Sequence, residues 1–203
     1  MRLRELRFDW KVVTVIVVST LVLVINKYHR IFDAYYYDMV LLYLIIPLLT
    51  IVLFLRESPA QYGFRLGDWK AGLALTAVAI AGITLVMPFI ARTESFQHAY
   101  AGRAEPIVSL LRTVGLEMVG WEFLFRGFLL FALCRVCGAH AIVLQAVPFA
   151  LMHIGKPELE TLSTLFGGSA FGYVAWRTNS FVFPFLIHLY LAVLTIVVAG
   201  GAI

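Results

Sequence analysis

The sequence predicts an all-α membrane protein, a polytopic bundle of about seven transmembrane helices. Two observations carry that expectation. Of 203 residues, 62% are hydrophobic and 14% charged, with mean hydropathy +0.91; a soluble domain has about 45–50% apolar and about 25% charged residues. The apolar residues also fall into successive runs, separated by short polar stretches that carry Pro, Gly, Lys and Arg. The net charge of +4 is scattered over those stretches, which is the signature of membrane topology rather than of a nucleic-acid-binding patch.

The basic start, 1–11, leads directly into the first apolar run, 12–25. No small-residue cleavage site follows Val24, so the run reads as a retained helix and not a removed signal peptide. Tyr35, Tyr36 and Tyr37 in the next polar stretch suit an interfacial belt. The second span, 39–55, contains Pro47, a kink that neighbouring helices can accommodate. A loop with Pro59, Gly63 and Gly67 precedes the third span, 71–91. After the polar stretch 92–105, Pro106 opens the fourth, 107–134, where its missing N–H costs little. The fifth run, 141–154, is short for a span of about 20 residues. A tight break at 155–160 leads to the sixth, 161–176, whose Gly168 and Gly172 form a small-residue packing face. The last span is 181–199.

Numbered from an inside N-terminus, the inner loops hold Arg2, Arg4, Arg7, Lys11, Arg56, Arg65, Lys70, Arg135 and Arg177. The outer loops hold Lys27, Arg30, Arg92, Arg103 and Lys156. The bias favours an N-terminus inside and a C-terminus outside. Cys134 and Cys137 have neither a second pair nor a thioredoxin-like setting and read as reduced bystanders.

Few ionisable residues remain at depth: Arg112, Glu117, Glu122, Arg126, His153 and His188, with Glu160 at the start of the sixth span. Charges inside an apolar helix cost roughly 2.5–3.5 kcal/mol each and usually mark function. Glu122 and Arg126 share a helix face at i and i+4. Glu122, His153 and His188 come from three helices, and such a set can polarise water as general base and acid or ligate a metal that does so. Each residue also has a structural reading. Glu122 and Arg126 can simply neutralise each other, and an imidazole at a helix end such as His153 commonly bonds a carbonyl. Glu117 can pair with Arg112 or solvent, Glu158 and Glu160 favour a helix N-terminus, and Gly127 permits close packing. Joint occurrence favours chemistry.

The run Glu122-Phe-Leu-Phe-Arg126-Gly127, then Phe149-x-x-x-His153, then His188 resembles the CAAX protease and bacteriocin-processing (CPBP, or Abi) intramembrane proteases. The likeness extends from about Tyr62 to the C-terminus. It includes His153-Ile-Gly-Lys-Pro-Glu-Leu-Glu160 and Pro59-x-x-Tyr62-Gly63-Phe64-Arg65, which look like variants found in bacterial members.

The resemblance implies N-terminal membrane helices and a cytoplasmic loop over 1–70, followed by a protease core over 71–203. In that core four helices would enclose a polar site. It further implies an endopeptidase in a bacterial or archaeal cytoplasmic membrane, acting on a membrane-associated peptide such as a CAAX tail, a leader or a C-terminal tag. Glu122 would be general base or acid, Arg126 would position it, and His153 and His188 would orient water. With Glu122, the same histidines would bind a divalent metal such as zinc if the mechanism is metal-dependent rather than glutamic. Glu160 and Trp121 are auxiliary.

Two positions depart from the family's pattern. Trp121 stands where the motif has its first glutamate, so Glu122 matches the second. Ala192 stands where Asn or Asp usually follows the last histidine by four, leaving Asn179, Tyr190 or Thr195 to supply a donor. These departures imply impaired activity. The alternatives are a non-catalytic relative that binds a membrane peptide, as an immunity protein would, and a small transporter. The transporter is disfavoured by the lack of a repeated half.

Overall fold

In the computed structural model, residues 9–201 are described; Arg2, Arg4 and Arg7 of the basic start lie outside them. Those residues form helices, with one isolated bridge between Ile154 and Lys156. The helices are α1 (Trp10–Tyr28), α2 (Tyr35–Leu55), α3 (Trp69–Ala91), the short α4 (Glu94–Tyr100), α5 (107–137), α6 (141–151), α7 (Glu158–Thr178) and α8 (Val182–Ala199). Each of the seven expected runs is helical. Five stretches are long and apolar enough to cross a membrane, and one of them, Ile107–Leu151, contains both α5 and α6. The polar first turns of α7, with Glu158, Glu160, Thr161, Ser163 and Thr164, keep it outside that group.

Helix α5 is the spine and touches α1, α2, α6, α7 and α8. Every residue from Gly120 to Leu130 is buried. Phe123–Leu129 is wound as a π-helix, a wider turn that often occurs at functional sites. Two further π segments, Val40–Ile45 and Thr50–Leu55, flank Pro47 in α2. The chain thus absorbs the missing N–H by rewinding around the proline.

Side-chain contacts sort the connections into two groups. Lys11, the α2–α3 connection, the end of α5 and the α7–α8 connection meet at one end. There Glu57 binds Lys11 at 2.7 Å, Arg135 through two bonds of 2.9 Å and the Tyr62 hydroxyl at 2.6 Å. Arg177 pairs with Asp68 at 2.9 Å and Arg65 donates to the Asn179 carbonyl at 3.1 Å. The start of α2 and the α3–α5 and α6–α7 connections gather elsewhere, where Arg103 reaches Glu117 at 3.8 Å and Lys156 lies 4.7 Å over the Tyr100 ring. Successive connections therefore alternate between ends.

Candidate active site

The site is built where α5, α6, α7 and α8 meet. Gly168 and Gly172 let α7 close on α6: a β-carbon at Gly168 would lie 2.9 Å from the Phe149 ring, and one at Gly172 2.5 Å from Gln145 Nε2. Gln145 donates to the carbonyls of Ile142 and Gly168, both at 2.8 Å, which fastens the two helices. Gly168 stands ten residues from each end of α7, about 15 Å from either terminus. Arg126 donates to its carbonyl at 3.4 Å, so the ion pair sits at mid-height in the bundle.

Glu122 and Arg126 are both fully buried. Arg126 NH1 donates to Glu122 Oε1 at 3.0 Å, and the guanidinium lies 3.9 Å over the Phe149 ring. The same Oε1 lies 2.6 Å from His188 Nδ1. A carboxylate can only accept, so Nδ1 carries the proton and Nε2 is the nitrogen left for other partners. Glu122 Oε2, Arg126 Nε and Gln145 Oε1 are buried with no hydrogen-bond partner among the described residues.

His153 belongs to the turn after α6. Gly155, at φ 102°, supplies a backbone conformation that side-chain-bearing residues rarely adopt. Thr161 Oγ1 donates to the His153 carbonyl at 2.8 Å, tying the turn to α7. His153 Nδ1 lies 2.8 Å from the Phe149 carbonyl, which makes it the donor and again leaves Nε2. The carbonyl-bonding role expected for a helix-end imidazole is thus present, and it fixes the tautomer.

Two adjoining chambers meet at these residues. One, of about 200 Å³, is largely apolar and runs between α3, α4, α7 and α8 past Met87, Phe96, Leu159, Phe171 and Leu191. The other, of about 320 Å³, is lined by Tyr35, Arg103, Glu117, Trp121 and Lys156. Tyr100, His153, Glu160, His188 and Ala192 line both. Tyr100 donates to both oxygens of Glu160, at 2.8 and 2.9 Å. Burial and that carboxylate push the phenol above its ordinary pKa, so it stays a neutral donor.

Several expectations change here. Glu122 lines neither chamber; His188 stands between it and the space. Glu117 pairs with Arg103 and not with Arg112, because the connection carrying Arg103 folds back over α5. Trp121 presents an indole to the polar chamber and packs edge-on against Tyr43 and Phe149. Of the three substitutes for the missing donor, Tyr190 is bonded to Thr84 at 2.6 Å and the Asn179 carbonyl serves Arg65 at the far end. Thr195 lines the apolar chamber but donates to the Leu191 carbonyl at 2.7 Å. Among the described residues no three His, Cys, Asp or Glu side chains gather as a metal site. Cys134 and Cys137 are both free thiols.

Tyr100 and Gln145 are the site residues that sequence reading missed. Gln145, an amide in a short apolar run, carried a signal; Tyr100, one of nine tyrosines, carried none.

An apolar helical bundle that seals an ion pair at mid-height and turns two imidazoles toward a shared cavity is an integral membrane protein with an enclosed polar centre. Residues 103–194 match the family model of the Rce1-like type II CAAX prenyl endopeptidases, the likeness that the sequence motifs also carry. The match takes in Glu122, Arg126, Gln145, His153, Glu160 and His188 and leaves α1–α4, with Tyr100, outside it. No curated protein and no solved structure matches the chain.

Proposed function

We propose that this protein is an intramembrane endopeptidase in which His188 is the general base and Glu122 its buried partner. The contact of 2.6 Å between His188 Nδ1 and Glu122 Oε1 carries this reading, because it leaves Nε2 as the basic nitrogen of a residue lining both chambers. His188 Nε2 takes a proton from water, and the water oxygen bonds to the carbonyl carbon of the scissile peptide. The imidazolium then returns the proton to the leaving nitrogen as the C–N bond breaks, giving a carboxylate and an amine. Glu122, held by Arg126, balances the charge that forms on the imidazole. His153, with its proton committed to Phe149, offers Nε2 as a second acceptor for the water. Glu160 and Tyr100 form the polar wall across from the imidazoles.

In this reading Glu122 acts through His188 instead of on water directly. The polypeptide substrate is membrane-associated, and the charge bias of the sequence supports an N-terminus inside. Purified protein in liposomes, given an internally quenched, lipid-anchored decapeptide with a free C-terminus, tests the reading. Cleavage that disappears with His188→Ala supports it. Cleavage that survives both His188→Ala and His153→Ala, in folded protein, overturns it.

A further inference from the structure

Helix α6 carries Gln145, Phe149 and His153 four residues apart, and therefore on one face. The Phe149 ring packs on the Arg126 guanidinium at 3.9 Å. Gln145, fully buried, sets its amide on the Gly168 carbonyl at 2.8 Å, and the same carbonyl takes Arg126 NH2 at 3.4 Å. Gln145 stands where α6 is interrupted, between Ala141–Leu144 and Ala146–Leu151. Three residues on, Pro148 has no N–H to donate to the Leu144 carbonyl. Gln145 lines neither chamber, so its amide meets the machinery and not the substrate. We infer that Gln145 is a positioning residue, acting on His188 through Gly168, Arg126 and Glu122; the inference rests on the endopeptidase reading.

The chain of contacts is continuous. From Gln145 Nε2 it passes to the Gly168 carbonyl and Arg126 NH2, then from NH1 to Glu122 Oε1 at 3.0 Å and on to His188 Nδ1 at 2.6 Å. Its members come from α6, α7, α5 and α8, the four helices that build the site. Gln145 Oε1 and Arg126 Nε have no partner among the described residues, so the amide reaches the guanidinium through the carbonyl. A guanidinium is planar and rigid. A shift of the Gly168 carbonyl that carries NH2 with it also turns NH1, and with it the carboxylate oxygen that holds His188. A misplacement of about 1 Å can cost about 100-fold in rate, even when it starts far from the chemistry.

Gln145→Met keeps the length of the side chain and removes the amide. In the full chain, acting on the quenched peptide in liposomes, it should lower kcat by about tenfold to 100-fold with KM nearly unchanged. A residue that only fastens α6 to α7 would instead lower Tm and leave the kcat of the folded protein unchanged, which overturns the inference. A second arm repeats the substitution in Arg126→Lys, which lacks the fork. There Gln145→Met should cost much less in kcat, and equal losses in both backgrounds overturn the inference as well. Where Gln145→Met does not fold, Gly172→Ala takes its place: its β-carbon would lie 2.5 Å from Gln145 Nε2 and displace the amide without removing it, giving the same fall in kcat. If the unsubstituted protein cleaves nothing, the endopeptidase reading fails on its own, and Tm reads the coupling instead. The falls in Tm for Gln145→Met and Arg126→Lys should then be less than additive, and additive falls overturn the inference.

Discussion

His188 Nδ1 and Glu122 Oε1, 66 positions apart in the chain, lie 2.6 Å apart across α8 and α5. The carboxylate is fully buried, while 12% of the histidine side chain remains exposed. One partner is shielded and the other reaches the chamber, an asymmetry suited to a base and the group that orients it.

If the two act as one unit, their effects are not additive. Glu122→Gln and His188→Ala should each lower kcat by about 100–10,000-fold, the usual range for general acid–base catalysis. The double variant should be little worse than His188→Ala. Initial rates on the quenched peptide, with thermal unfolding as a folding control, decide this.

Ala192 lines both chambers, at the position where the family resemblance implies an Asn or Asp donor. Deleting one oxyanion donor costs about 100–1000-fold in rate. Ala192→Asn should therefore raise kcat, by about tenfold or more, with little change in KM. Steady-state kinetics separates the two parameters.

Arg126→Met would take the guanidinium from the buried Glu122 and leave His188 as its one partner. Removing one partner of a buried pair typically costs about 3–5 kcal/mol, and the cation over Phe149 is lost as well. A large fall in Tm is expected. Arg126→Lys keeps the charge but not the fork that reaches both Glu122 and Gly168, and should fall between the two.

At the other end, Arg135, Lys11 and Tyr62 hold the Glu57 carboxyl down to about 2 from 4.5. A carboxyl depressed on folding stabilises above its unfolded pKa, and that stability is lost as pH falls through the folded value. Thermal stability should thus decline between about pH 4.5 and pH 2. Glu57→Gln should lower Tm at pH 7 and reduce that part of the pH dependence, as unfolding scans at pH 7 and pH 3 would show.

Composition alone determined the class, because 62% hydrophobic residues point away from a soluble domain, and hydropathy located the helical runs, of which five stretches are long and apolar enough to span. Glu122, Arg126, His153 and His188 stood out because a charge or imidazole in an apolar run is costly and seldom incidental. Their separate roles depended on tertiary structure. Whether Glu122 meets water turns on His188, which lies in another helix, and that relation has no local signature. The π turn at Phe123–Leu129, the Tyr100–Glu160 contact and the re-pairing of Glu117 with Arg103 likewise arise from packing between distant segments. Burial is a property of single residues and can be read along a chain. Hydrogen-bond partners belong to pairs, and in this bundle most pairs at the centre join different helices.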